Sequence, residues 1–148
     1  MVYLKDYLSE KRILFLKPAT KMEALTKLVD ASMDNEYIRI PDVFRKAVMQ
    51  REAIIPTGIG LNVAIPHVKT NSAKKFFITI GIFPDGVEWD SIDGKPVRLA
   101  FLIGGPDNHE QYLQILAKLT LIIRNDSRRK ALVEAADAAE VLAQFDKI

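Results

Sequence analysis

Short apolar runs alternate with longer stretches in which apolar residues recur every three or four positions, and this alternation predicts a set of strands and helices. Ile13–Leu16 (ILFL) reads as a strand. Met22, Leu25, Leu28, Val29 and Met33 then follow at helical spacing, and Thr20 stands three residues before Glu23, the capping-box interval; a helix is expected from Thr20 to about Asn35. Pro41 suits a first helical position, with Val43, Phe44, Ala47 and Val48 as the buried stripe and Arg51 and Glu52 at the helix end. Val63–Ile65 reads as a short strand. Phe76–Phe83 (FFITIGIF) is apolar on both faces of a period-two pattern, as in a central strand covered on each side. Pro84–Gly86 is expected to turn the chain, Asp93–Pro96 to turn it again, and Val97–Ile103 to form the next strand, antiparallel to the previous one. A helix follows GGPDN, with Leu113, Leu116, Leu119, Thr120 and Ile123 along one face. Asp126 or Ser127 is expected to cap a short helix, and Asp137 a last one. The order predicts a single α/β domain over residues 1–148, a mixed sheet with helices on both faces.

Composition narrows the chemistry. The 148 residues include no cysteine, which removes disulfides, thiolate metal sites and thiol nucleophiles. A formal charge of +2 argues against a nucleic-acid or membrane surface. The local basic cluster Arg124–Lys130 lacks interleaved aromatics and reads as a solvated helix end. No apolar run is long enough to span a bilayer, the charged opening MVYLKD is unlike a secretory signal, and the cytoplasm is the expected location. Two histidines without H-x-x-x-H or H-E-x-x-H spacing predict no metal site. Trp89, in VEWD, reads as a lid on the core rather than a ligand platform.

The remaining chemistry gathers in PTGIGLNVAIPH, Pro56–His67. It lacks the third glycine of a dinucleotide fingerprint, Pro66 forbids a long helix, and no phosphate-loop lysine motif occurs, so no nucleotide site is expected. Gly58, Gly60 and Asn62 tolerate positive φ, which would turn successive amides inward as an anion nest. Pro66 should end the strand ladder and hold His67 at the strand end, beside those amides. A neutral imidazole there could attack phosphorus, with Arg51 and the Thr57 hydroxyl stabilising the equatorial oxygens. The plain alternative is a structural turn with an ordinary histidine.

Arg51-Glu52 followed by TGIGLNVAIPH closely resembles the phosphorylation motif of the mannitol/fructose class of enzyme IIA (EIIA type 2) in the bacterial phosphoenolpyruvate-dependent phosphotransferase system. LKDYLSEKRI, KMEALTKLVD, GVEWDSIDGKPVRLAFLI and YLQILAKLTLII extend the similarity over nearly the whole chain. The resemblance implies that His67 accepts a phosphoryl group from the phosphohistidine of HPr or a homologue. It then passes the group to an enzyme IIB or holds it as a signal, with no cofactor. It also implies a shallow apolar docking face, for which Ile59, Leu61 and Val63 are candidates, Val63 reading better as core. Two departures stand out. Leu61-Asn62 replaces the family's frequent Asn-Gly. Tyr112 occupies the place of its second histidine, while His109 lies three residues earlier, about 300° around a helix and on the same face. His109 either reaches the same phosphate or is a solvent-exposed residue near the helix start; Tyr112 either donates its hydroxyl to a phosphoryl oxygen or only packs. The layout resembles the nitrogen-regulatory branch, whose members act by binding other proteins. The alternative function is thus a regulatory protein-binding module of the same fold.

Overall fold

The computed structural model describes residues 2–33 and 37–148. Two 3₁₀ turns, Leu4–Tyr7 and Glu10–Arg12, lead into β1 (Ile13–Phe15). Then come α1 (Lys21–Met33), α2 (Pro41–Ile54), β2 (Gly58–Gly60), β3 (Val63–Ala64), β4 (His67–Lys69), β5 (Phe77–Val87), β6 (Val97–Gly105), α3 (His109–Ile123), α4 (Asp126–Glu134) and α5 (Ala138–Ala143). The described part of the first predicted helix matches, while its expected end at Asn35 lies outside the described residues. Thr20 Oγ accepts the Glu23 amide at 3.1 Å, and the Glu23 carboxylate reaches back to the Ala19 amide at 3.0 Å.

The sheet is mixed, in the order β1-β5-β6-β3-β2, with β4 also paired to β6. β5 and β6 form the antiparallel centre, whereas β1 runs parallel to β5, and both β3 and β4 run parallel to β6. Alternate residues of the central strands feed two cores. Ile78, Ile80, Phe101 and Ile103 join Leu119, Leu132 and Val141 from α3–α5. Phe77, Ala100 and Leu102 join Leu28 and Phe44 from α1 and α2 on the other face. The two-sided hydrophobicity of FFITIGIF is thus satisfied by helices on both sides.

Four local expectations differ. Pro84–Gly86 does not reverse the chain; β5 runs on through it, and the register with β6 shifts between Ile82 and Val87. A bulge absorbs the proline and the positive φ of Gly86 while the pairing resumes at Val87–Val97. Val43 is exposed, because Phe44, Val48 and Glu52 supply the inward row of α2. In α3 the buried row is Tyr112, Ile115, Leu119, Ile122 and Ile123, so Leu113 faces outward and the apolar face is rotated from the expected one. Asn125, one residue before the expected positions, caps α4 through the Arg128 amide at 3.0 Å; Asp137 caps α5 as expected, at 2.9 Å.

Candidate active site around His67

Pro66 interrupts the edge ladder without ending it. β3 stops at Ala64, the Pro66 carbonyl accepts the Ile103 amide at 2.9 Å, and β4 resumes on the same edge of β6 with His67 opposite Ile103. His67 therefore opens a strand rather than closing one. Its ring is half-buried. Nδ1 lies 2.8 Å from the Ile65 carbonyl oxygen, which can only accept, so Nδ1 carries the proton and Nε2 is left with its lone pair. Burial holds the imidazole pKa below its ordinary 6.5; the Ile65 bond and the negative charge of Glu52 oppose this, while the positive charges of Arg51 and Lys69 add to it. The ring is thus neutral near pH 7 and nucleophilic at one defined nitrogen.

Arg51 comes from the last turn of α2 and spends one donor on the Ile55 carbonyl, at 2.9 Å. Four of its five N–H groups remain for an anion, and its charge acts on both His67 and Tyr112. The Tyr112 ring, on the first turns of α3, lies against His67 with centroids 5.5 Å apart and against His109 at 6.2 Å. Burial raises the Tyr112 pKa, so the phenol stays protonated. His109 is solvent-exposed at the start of α3, one of the two places expected for it, and its Nδ1 accepts from the Lys69 ammonium at 2.6 Å.

Glu52, next to Arg51, is the anchor that sequence reasoning passed over as a helix end. Its carboxylate is buried and accepts the Thr57 amide (3.0 Å), the Thr57 hydroxyl (2.7 Å) and the Trp89 indole N–H (2.7 Å), and it pairs with Lys21 at 2.9 Å. Burial alone would push its pKa up, but these donors together hold it below the ordinary 4.5. The Thr57 hydroxyl proton is therefore committed to Glu52, which corrects its expected role as a phosphate donor; Thr57 ties the chain before β2 to the end of α2. Trp89 is fully buried over this carboxylate, as a core lid should be.

The glycine turn also departs from expectation. Gly60, Leu61 and Asn62 have φ of +94°, +58° and +62°, so the turn takes positive φ at Gly60 and Asn62 as expected, and at Leu61 as well. It holds an internal anion, however: the Leu61 amide donates to Asp93 Oδ2 at 3.2 Å, and the Asn62 side-chain amide donates to the Pro96 carbonyl at 2.8 Å. Val63 pairs with Leu99 and His67 with Ile103, so the turn lies four residues down β6, about 13 Å from His67 at roughly 3.3 Å per residue. Gly60 and Asn62 therefore shape the turn and are remote from the imidazole. Gly58 needs no positive φ; a Cβ there would fall 2.2 Å from Ser91 Oγ. No cluster of three or more potential metal ligands occurs among the described residues, and none of the described helices is long and apolar enough to cross a membrane.

Residues 6–148 match the family model described as phosphoenolpyruvate-dependent sugar phosphotransferase system, EIIA 2. The chain belongs to that family. This EIIA chain is 34% identical over 119 residues to a fructose-specific EIIA component of Haloferax volcanii, covering 80% of this chain and 77% of the relative. It is 30% identical over 127 residues to a nitrogen regulatory protein of Bradyrhizobium diazoefficiens, covering 85% and 82%. The crystal structure of the nitrogen regulatory protein IIA-Ntr from Neisseria meningitidis superposes with a TM-score of 0.86 at 26% identity, over 95% of this chain and 97% of that one.

Proposed function

We propose that this EIIA chain is a cytoplasmic phosphocarrier whose acceptor atom is Nε2 of His67. The observation that carries the reading is the Nδ1–H donation to the Ile65 carbonyl, which leaves Nε2 unprotonated in a ring kept neutral by burial. The Nε2 lone pair forms the new N–P bond as the N–P bond of an HPr-type phosphohistidine breaks, and the donor imidazole leaves with that electron pair. Arg51 neutralises charge on the equatorial oxygens, the task that positioned cations perform in phosphoryl transfer. In transfer onward to an enzyme IIB, that partner's nucleophile forms the new bond to phosphorus as the His67 Nε2–P bond breaks, and the His67 imidazole leaves with the electron pair. Ile59 (46% exposed), Leu61 (50%) and Ile92 (86%) offer an apolar face to a protein partner, together with Ile54 and Ile55 beside Arg51; Val63 is core.

Incubation with phosphoenolpyruvate, enzyme I and the HPr-type carrier is expected to leave one acid-labile, base-stable phosphoryl group on the chain. The adduct should vanish in His67→Ala and persist in Leu113→Ala. A second reading, a regulatory module without transfer, is favoured by Tyr112 lying against the acceptor ring, where the resembled motif has an imidazole. A wild-type chain that takes no phosphoryl group from any carrier, but binds a protein target, decides for that reading.

A further inference from the structure

Lys69 stands two residues beyond His67 on β4. Side chains at that interval share one face of a strand, and Val68 between them is buried on the other. The Lys69 ammonium sits 2.6 Å from His109 Nδ1 and 5.1 Å above the centre of the Tyr112 ring. An ammonium has only protons to offer, so His109 Nδ1 is the acceptor. Among the described residues no carboxylate lies within ion-pair distance of Lys69. The cation is held by a ring nitrogen and an aromatic face, both weak partners for a full charge. The same Tyr112 ring that lies under it also lies against His67, 5.5 Å between centroids.

We propose that Lys69 is a phosphoryl-binding residue: when the group forms on His67 Nε2, the ammonium leaves His109 Nδ1 and donates to a phosphoryl oxygen across the Tyr112 ring. This rests on His67 being the acceptor. No proton changes owner in the exchange; one hydrogen-bond acceptor, a ring nitrogen, is replaced by a charged oxygen, which is the stronger partner. His109 is the resting place of the cation in the unphosphorylated chain, and Arg51 and Lys69 supply positive charge from different elements, α2 and β4.

The test uses phosphoramidate as a small phosphoryl donor, so that docking of a protein partner plays no part. Lys69→Ala is expected to slow phosphoryl uptake roughly tenfold or more, and Lys69→Arg to keep it within about threefold. In the wild type, the ¹⁵N resonance of His109 Nδ1 should shift on phosphorylation as its hydrogen bond is lost, and in Lys69→Ala it should not respond. Uptake by Lys69→Ala within about twofold of wild type, in a protein with an unchanged melting temperature, overturns the proposal and leaves His67 as the acceptor. So does failure of Lys69→Arg to restore uptake. A wild-type chain that takes no phosphoryl group from phosphoramidate or from the carrier overturns the acceptor reading itself, and this proposal with it.

Discussion

The turn Gly60–Asn62 and the strand opening at His67 belong to one stretch of twelve residues, yet they solve opposite electrostatic problems. The turn points the Leu61 amide at an anion it already holds, Asp93. At His67 there is a lone pair with a guanidinium and an ammonium near it, while the Glu52 carboxylate, whose charge the ring also feels, is already bound to Thr57, Trp89 and Lys21. A satisfied polar group stabilises and is chemically idle; an unsatisfied positive field beside a nucleophile has its use only when an anion arrives. Reactivity in this chain thus lies where charge has been left uncompensated, and not where the backbone is most unusual.

Both regions stand on Glu52, so its removal should produce the largest effect. Glu52→Ala strands the Trp89 indole N–H, the Thr57 amide and the Lys21 charge, three partners of one buried carboxylate. A loss of about 3 kcal/mol in unfolding free energy is expected in chemical denaturation. The carboxylate pKa is depressed in the fold, so its contribution is present above the ordinary 4.5 and is lost as pH falls through the folded value. Denaturation midpoints of wild type and Glu52→Gln should therefore converge in acid. Midpoints that stay equally far apart at all pH values would show that the carboxylate charge adds nothing.

A smaller effect separates the two regions from each other. Asp93 accepts the Leu61 amide and, through its other oxygen, the Lys95 amide at 3.0 Å, both exposed bonds. Asp93→Ala is expected to cost about 1 kcal/mol of stability, on the scale of an exposed cap. Its initial rate of phosphoryl uptake from phosphoramidate should equal that of wild type, while Arg51→Ala should be slowed about a hundredfold with stability nearly unchanged. An equal loss of rate in both variants would mean that the turn does reach the reacting atoms.

Much of the architecture could be read from the chain because it depends on local pattern. FFITIGIF declared a strand covered on both faces, Thr20 with Glu23 declared a helix start, and the proline before His67 marked a constrained imidazole. What escaped depends on partners distant in sequence. Nothing near Gly60 tells that Asp93, 32 residues away from Leu61, accepts that residue's amide. Nothing in PDG says that β5 will find β6 again at Val87 after a bulge. The phase of α3 is not legible because apolar residues lie on more than one side of the helix: Leu113 and Leu121 face outward, while Tyr112, Ile115, Leu119, Ile122 and Ile123 are buried. Glu52 and Lys69 were missed for another reason: charged residues at a helix end and on a short edge strand are ordinarily solvated. Lys69 did carry a signal, since the period-two rule places it on the face of His67.

The finest comparison is in the titration of His67 itself. Burial is the chief cause of its depressed pKa, followed among the lowering influences by Arg51, then Lys69; Asp93 is not among them. In NMR, the wild-type ring should titrate below 6.5. Arg51→Gln should move the midpoint upward, because a cation that disfavours protonation is gone, whereas Asp93→Asn should leave it where it was. The sign extends to stability. Between the folded and unfolded midpoints the unfolded chain binds more protons, so this group's contribution is intact above 6.5 and is lost as pH falls. His67→Gln should flatten that small slope. If Asp93→Asn shifts the His67 midpoint as far as Arg51→Gln does, the two ends of the motif share one field, and the separation drawn from the β6 register is wrong.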